Sequence, residues 1–209
     1  MINSLPVSTL TLQGSEINSI LEIFNTLNKE FTAEFITDFN FDFRPFELFS
    51  SYKQIDTGPV IYLKNESSSF YLTFTQVTYQ LPNASRFPHL PSREYQTWGV
   101  LHLNKNSGHV LIRPETFLDK IHNLITPIQL DFEDDKEFSR KFYIVTNDEL
   151  KTNLLFTPGL KSGIESIGVP DFCIEILENS LIIGNKKIIE PGSALKFAEF
   201  LRTFRNEYL

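Results

Sequence analysis

The stretch that decides the fold is FCIEILENSLIIGNKKIIEPGSALKFAEFLRTF, residues 172–204. Its first half contains two apolar runs, 172–177 and 181–189, separated by the polar residues 178–180, a composition typical of a β-hairpin. Its second half starts a helix that Ser193 is suited to cap. One apolar stripe follows at helical spacing: Ala194, Phe197, Ala198, Leu201, Phe204 and Tyr208. A helix with such a stripe must cover another element, most simply the sheet to which the hairpin belongs.

Two more strand pairs are predicted upstream of this stretch. Residues 60–64 and 70–79 are rich in β-branched and aromatic side chains, and a short polar run between them suits a hairpin turn. Residues 95–103 and 109–113 flank the segment 104–108, which is polar and ends in glycine. We therefore expect a hairpin here too, the second in chain order, in which these two strands pair directly.

Helix signals occur at four further places. At one of them, Pro114 starts a short helical pattern that Pro127 stops. Ser15 precedes apolar residues at helical spacing, which predicts a helix from about Glu16 with Ser15 as its N-cap. Asn147 or Asp148 can cap a helix that contains Leu150, Leu154 and Leu155, and Thr157 followed by Pro158 repeats the start signal. Between the first helix and the first hairpin, dense phenylalanines around Pro45 predict extended chain.

Together these patterns predict an α+β fold with a curved, roll-like antiparallel sheet, helices packed on one face and a carboxy-terminal amphipathic helix. We expect residues 1–209 to form a single domain. The hydrophobic fraction of 41%, with 20 phenylalanines, is sufficient for a substantial core.

Composition excludes several classes of function. A net charge of −7 disfavours binding to nucleic acid or to anionic membranes. Cys173 is the only cysteine, which rules out an internal disulfide and a zinc site with several thiolates. Residues 1–12 show neither a secretion signal nor a membrane anchor, so we expect a soluble cytoplasmic protein with no membrane insertion.

Two segments resemble an uncharacterised bacterial family of unknown function. They are YQTWGVLHLNKNSGHVLIRPETF, residues 95–117, and FSRKFYIVTNDELKTNLLFTPGL, residues 138–160. The positions that carry the resemblance are Gly99, Pro114, Phe138, Phe142, Val145, Asp148, Leu154, Leu155, Thr157 and Pro158. The resemblance implies an α+β domain and supplies no catalytic residues. Longer relatives often have membrane-spanning helices before this domain, and we expect this chain to lack them.

Motifs for cofactor chemistry are absent from the sequence. The nine glycines are scattered, without a phosphate-binding loop, and the four histidines lack the spacing of a zinc hydrolase. We therefore predict no cofactor and no metal. His102 and His109 would lie on opposite arms of the second hairpin, where solvent-facing residues are the default and an acid–base or metal pair is the alternative. Cys173 is expected to be a packed thiol, and the acidic run 131–137 a solvated loop rather than a calcium site.

The best candidate for a binding surface is the loop 81–93. Its three prolines prevent regular strand, and loops of this length usually carry function or are disordered. It mixes cationic and aromatic side chains, a combination that is common where proteins contact partners or anions. The predicted binding residues are Arg86, His89, Arg93, Trp98 and Arg113.

Three hypotheses about function follow. The leading one is a non-enzymatic binding or regulatory domain with a protein partner, because the sequence is poor in polar clusters suited to catalysis. The second is an acidic immunity-type protein that neutralises a basic toxin or another basic partner. The third is an enzyme whose site is assembled from dispersed residues, for which a deep pocket joining His, Arg and carboxyl groups would be diagnostic. The sequence does not indicate an oligomeric state.

Overall fold

The computed structural model describes residues 12–64, 69–79, 93–115 and 128–208. Nine strands occur in these residues: β1 (Thr32–Ile36), β2 (Tyr52–Lys64), β3 (Ser69–Tyr79), β4 (Arg93–His102), β5 (His109–Pro114), β6 (Ile128–Gln129), β7 (Phe142–Thr146), β8 (Cys173–Leu177) and β9 (Ser180–Asn185). They form one antiparallel sheet in the order β1-β2-β3-β4-β9-β8-β5-β7-β6, which is not closed into a barrel. The predicted α+β class and antiparallel sheet are confirmed.

Five α-helices occur in the same residues: α1 (Gly14–Leu27), α2 (Lys136–Lys141), α3 (Glu149–Leu155), α4 (Pro158–Ser166) and α5 (Pro191–Tyr208). Each contributes buried side chains to one large core on one face of the sheet. The carboxy-terminal helix α5 covers the middle of that face, as its apolar stripe predicts, and it packs beside α1. No helix in the described part of the chain combines the length and the apolar character needed to cross a membrane.

The opposite face of the sheet carries a smaller aromatic core. Side chains alternate across β4, so Trp98 and Val100 face this second core while Leu101 faces the helices. Residues 39–49, which we call the Phe-rich segment, cross this face as irregular chain that ends in one 3-10 turn, Glu47–Phe49. The ring of Phe49 lies 4.9 Å from that of Trp98. The segment that the sequence predicts to be extended is thus irregular chain, and it covers the second face of the sheet.

The predicted direct pairing of β4 with β5 is wrong. The hairpin β8–β9 lies between them, so that β4 pairs with β9 and β5 pairs with β8. Three inter-strand steps separate β4 from β5, roughly 14 Å, and the connecting residues 103–108 are long enough to span that distance. Each strand in the series β4, β9, β8, β5 is antiparallel to the next, so β4 and β5 also run in opposite directions. A connection that crosses over two intervening strands therefore has the same sequence pattern as a hairpin loop.

The other element predictions need smaller corrections. The hairpins β2–β3 and β8–β9 are confirmed, and Asp148 and Thr157 cap α3 and α4 as predicted. Ser15 is not the N-cap of α1, because the helix begins one residue before it and Gln13 is at the cap position. The last helix likewise begins at Pro191, two residues before the predicted cap at Ser193.

Candidate functional site

A groove beside α3 has a largely apolar lining and includes the exposed side chain of Leu154. It has a volume of about 380 Å³. We call it the α3 groove, and its lining residues are Leu103, Lys105, Asn106, Ser107, Lys151, Leu154, Leu155 and Phe204. The floor consists of buried side chains from β4's end, α3 and α5, and the walls are the 103–108 connection and the outer face of α3.

Leu150 and Leu154 form an exposed ridge along α3, which we call the leucine ridge. Their side chains are 80% and 82% exposed, and residues four apart lie on the same side of a helix. The inner side of this short helix is already occupied by buried Thr152 and Leu155. The leucine ridge is therefore not part of the core. The sequence alone predicts only a helix that contains leucines, without indicating which of them are exposed.

Hydrogen bonds fix α3 to the end of the sheet. The Asp148 carboxyl group accepts from the backbone N–H of Lys151 and caps the helix. The hydroxyl groups of Thr146 and Thr152 lie 2.7 Å apart in the interior, and the Thr146 hydroxyl also donates to the backbone carbonyl of His109. These bonds join α3 to β5 and β7, so the leucine ridge has a rigid base.

The other wall of the groove is fixed by the turn of the β8–β9 hairpin. The backbone N–H of Leu103 donates to Asn179 at 2.7 Å, and that of Ser107 donates to Glu178 at 2.9 Å. Gly108 has a φ of +76°, a conformation that favours glycine, and an added Cβ would lie 3.3 Å from Asn147 Oδ1. The connection 103–108 is therefore held against both the hairpin turn and the start of α3.

The charges at the groove differ from those of the chain as a whole. Among the described residues that line it, the charged ones are Lys105 and Lys151, although the protein carries a net charge of −7. Lys151 forms an ion pair with Asp148 at 3.5 Å, a weak exposed contact. Lys105 forms no ion pair with any residue that the structure describes. The groove is apolar with a positive margin.

Of the five binding residues predicted from the sequence, the structure describes Arg93, Trp98 and Arg113. Arg86 and His89 lie outside the described residues. Arg93 is exposed at the first position of β4, opposite Thr78 of β3. Trp98 and Arg113 lie on strands separated by β9 and β8.

Trp98 and Arg113 both make contacts within the fold. Trp98 is fully buried, and its indole N–H donates to the Gln96 side chain at 3.1 Å. The Arg113 guanidinium lies 4.5 Å from the centre of the Tyr143 ring, its neighbour on β7. A partner could contact Trp98 only if the Phe-rich segment moved away. The binding roles of these residues stay predictions.

A buried carboxyl group that the sequence does not single out ties the Phe-rich segment to the sheet. Glu175 of β8 is fully buried and accepts the backbone N–H groups of Glu47 at 2.7 Å and Leu48 at 2.9 Å. His109 Nε2 lies 2.7 Å from the same carboxyl group. The only sequence signal is a charged residue at the centre of the apolar strand FCIEI. We call these contacts the Glu175 tether.

The structure places the two histidines of the predicted hairpin, His102 and His109, in different environments. His102 is exposed opposite Ser180, and His109 is opposite Leu177, so the two do not face each other across a strand pair. His109 has a carboxyl partner, but that partner is 66 residues away in sequence. Cys173 is buried at the start of the same strand, as predicted.

The aromatic core continues into a chain of polar contacts between β2, β3 and β4. The Gln96 amide donates to the Tyr52 hydroxyl at 2.8 Å, and the Tyr79 hydroxyl donates to Glu94 at 2.7 Å. Burial, reinforced by this hydrogen bond to Glu94, raises the pKa of Tyr79 above its ordinary value. The phenol therefore remains a neutral donor at physiological pH.

The acidic run 131–137 borders a hollow of about 580 Å³. Its charged lining residues, Asp131, Glu133, Lys136 and Arg140, are two acids and two bases. The Asp135 carboxyl group caps α2 and also forms an ion pair with Lys161 at 3.7 Å. No group of three or more potential ligands in the described residues is arranged to hold a metal ion.

Comparison with known proteins identifies a related fold. No protein-family model and no curated protein matches the chain. A solved structure with a similar architecture is the crystal structure of the mycobacterial trehalose monomycolate transport factor A, with a TM-score of 0.54 and 8% sequence identity. The likeness covers 89% of this chain and 92% of that chain. Because one fold hosts many unrelated functions, this similarity extends to the fold alone.

Proposed function

We propose that this chain is a non-enzymatic binding domain of a bacterial cytoplasm that contacts a protein partner through the leucine ridge and the α3 groove. The observation that carries the proposal is the pair of exposed leucines on a rigidly held helix, beside a groove with a buried apolar floor. Single exposed apolar side chains are normal, but an apolar ridge that continues into a groove is typical of interaction sites.

The energetic argument uses the two leucines. Covering one fully exposed leucine side chain contributes about 1.5 to 3 kcal/mol, so the pair supplies a hot spot of useful size for a protein interface. Neither side chain packs in the core of this molecule, and both remain available to a partner. A short helix whose start is fixed by hydrogen bonds and whose inner side is buried reduces the ordering cost of binding.

The arrangement of polar groups supports binding over catalysis. In the part of the chain that the structure describes, the close His–carboxyl contact is that of His109 with Glu175, and both carboxyl oxygens already accept from protein donors. A general acid or base needs a position from which it can reach a substrate. The enzyme hypothesis would instead need a pocket that joins such groups to solvent, and the residues that the structure describes along the α3 groove include neither a histidine nor a carboxyl group.

The immunity-type alternative would require a negatively charged surface at the binding site. A basic toxin would be attracted by the net negative charge of the chain, but it would be repelled locally by Lys105 and Lys151. If such a partner exists, it should dock away from the α3 groove. The loop 81–93 with Arg86, His89 and Arg93 is a second candidate surface for any partner.

The proposal can be tested by comparing these two surfaces. A partner captured from native lysate is identified by mass spectrometry, purified, and titrated calorimetrically against three proteins. They are the wild type, the double variant Leu150→Ser/Leu154→Ser, and the triple variant Arg86→Ala/His89→Ala/Arg93→Ala. We expect the double variant to bind at least about tenfold more weakly, because two anchors are lost, and the triple variant to bind like the wild type.

The matched control is Ile128→Ser, which replaces another exposed apolar residue on an edge strand. This variant should bind the partner as the wild type does. Equal affinities for the wild type and the leucine double variant would refute the proposal, and selective loss in the triple variant would move the binding surface to the loop.

A further inference from the structure

The chemistry of the α3 groove also indicates which kind of partner it takes. We infer that the partner presents an amphipathic helix whose apolar face carries flanking carboxylates. This inference rests on the proposed function, since it names the partner class of the same site. Its evidence is the shape of the ridge and groove, and the sign of the charges at the margin.

The shape favours a helix as the occupant. The leucine ridge follows the i, i+4 row of α3, and such rows pack into the groove of a second helix. The adjoining α3 groove then offers its floor of Leu103, Leu155 and Phe204 to side chains from the facing helix. An amphipathic helix placed against an apolar groove is a recurrent mode of peptide recognition.

The charges favour an acidic partner. Lys151 follows Leu150 on α3, and Lys105 is on the opposite wall, so each wall of the groove includes a lysine. The weak exposed pair with Asp148 does not remove Lys151 from this role, since a side chain of that length can exchange partners at little cost. A helix with carboxylates on both sides of its apolar stripe would complement both lysines.

The same charges disfavour a second copy of this chain as the occupant. In a two-fold symmetric dimer each surface patch faces its own counterpart. Groove against groove would bring lysines near lysines, with no carboxyl group among the described lining residues to separate them. The margin therefore selects for a partner of opposite charge.

Two designed peptides test the inference directly. Each is about 18 residues long, because isolated helices shorter than about 12 to 15 residues are marginal in water. Both carry leucine at positions i, i+3, i+4 and i+7, flanked by glutamate in one peptide and by lysine in the other. Binding of each fluorescently labelled peptide to the full chain is followed by anisotropy at low and at moderate salt.

We expect the glutamate peptide to bind at least about tenfold more tightly than the lysine peptide, with a difference that shrinks as salt screens the lysines. The variant Lys105→Glu/Lys151→Glu should reverse this preference. The variant Leu150→Ser/Leu154→Ser should lose both peptides. As a control, Lys196→Glu changes an exposed lysine of α5 that does not line the groove, and it should bind like the wild type.

Three results would overturn the inference: equal binding of the two peptides, binding of neither, or an unchanged preference after reversal of both lysines. Sedimentation that shows a wild-type dimer dissociated by the leucine variant would also overturn it, by making a second copy the occupant. The proposed function fails separately, when the captured partner binds the leucine variant normally. A partner that needs the leucines but not the lysines leaves that function standing and removes only the inference.

Discussion

Glu175 is the residue on which the second face of the sheet depends most. Its buried carboxyl group accepts two backbone N–H groups of the Phe-rich segment and contacts His109. Replacement by alanine would leave these donors buried without an acceptor. We expect Glu175→Ala to lower the free energy of unfolding by about 3 kcal/mol or more, measured by urea denaturation.

Two variants make the Glu175 prediction specific. Glu175→Gln keeps the volume and one acceptor oxygen but presents an amide donor to a backbone donor, so an intermediate loss is expected. Glu199→Gln changes an exposed carboxyl group on α5 and should alter stability by less than about 0.5 kcal/mol. If Glu175→Ala were as stable as Glu199→Gln, the Glu175 tether would not hold the Phe-rich segment.

The second residue-scale prediction concerns Gly184, which lies opposite Trp98 in the β4–β9 ladder. A Cβ at this position would lie 2.3 Å from the indole ring and 2.5 Å from a backbone carbonyl. Because the core around Trp98 is closely packed, we expect Gly184→Ala to lower the melting temperature and to cost about 1 to 3 kcal/mol.

Gly14 provides the matched control for this substitution. It lies at the start of α1, where an added Cβ meets nothing within 4 Å. Gly14→Ala should leave stability unchanged or raise it slightly, since alanine is the better helix former. A melting temperature for Gly184→Ala equal to that of Gly14→Ala would contradict the packing of Trp98 described above.

The roles of Glu175 and Gly184 could not be predicted from the sequence. Glu175 meets backbone groups that are 127 and 128 residues away, and no local pattern records such a contact. Gly184 reads in the sequence as a bulge or turn, whereas its role is to make room for an aromatic ring on the next strand. Both roles become visible only when the strand order is known.

At the scale of elements, the position of the 103–108 connection relative to α3 sets the shape of the α3 groove. Gly108→Ala places a Cβ at a positive φ and close to Asn147. We expect a loss of about 1 to 2 kcal/mol in stability, measured by thermal denaturation, together with weaker binding at the groove as its wall shifts.

Gly192→Ala serves as the control at this scale, because that glycine lies near the start of α5 with nothing within 4 Å of an added Cβ. It should leave both stability and binding close to the wild-type values. Wild-type partner affinity in Gly108→Ala would show that the 103–108 wall does not shape the binding surface.

The elements themselves were largely predictable, but their neighbours were not. Alternating and helical spacing identifies hairpins β2–β3 and β8–β9, and the capping residues Asp148 and Thr157 mark two helix starts. The insertion of β8–β9 between β4 and β5 could not be predicted, because local patterns contain no information on which distant strand fills the gap.

At the scale of the whole molecule, the leucine ridge should be separable from the fold. We expect Leu150→Ser/Leu154→Ser to change the free energy of unfolding by less than about 0.5 kcal/mol per site, since both side chains are already in water. Leu155→Ser, one residue further and buried, should cost about 3 kcal/mol. Urea denaturation of the two variants measures the contrast, and a large loss in the ridge variant would mean that the ridge belongs to the core.

At the candidate site, too, the sequence pattern predicts the helix but not which of its side chains are exposed. The residues of α3 were predicted to be helical, but only the structure shows that Thr152 and Leu155 fill the inner side and leave two leucines outside. A seven-residue helix with three leucines carries more apolar side chains than one face can bury, which is the signal that could have indicated the ridge.

Hydrogen–deuterium exchange on the complex with the identified partner tests the central claim most directly. The amides of residues 103–107 and 149–155 should exchange more slowly in the complex than in the free protein, while the edge strands β1 and β6 keep their rates. Slower exchange confined to the loop 81–93 or to the acidic run 131–137, with the α3 groove unchanged, would contradict it.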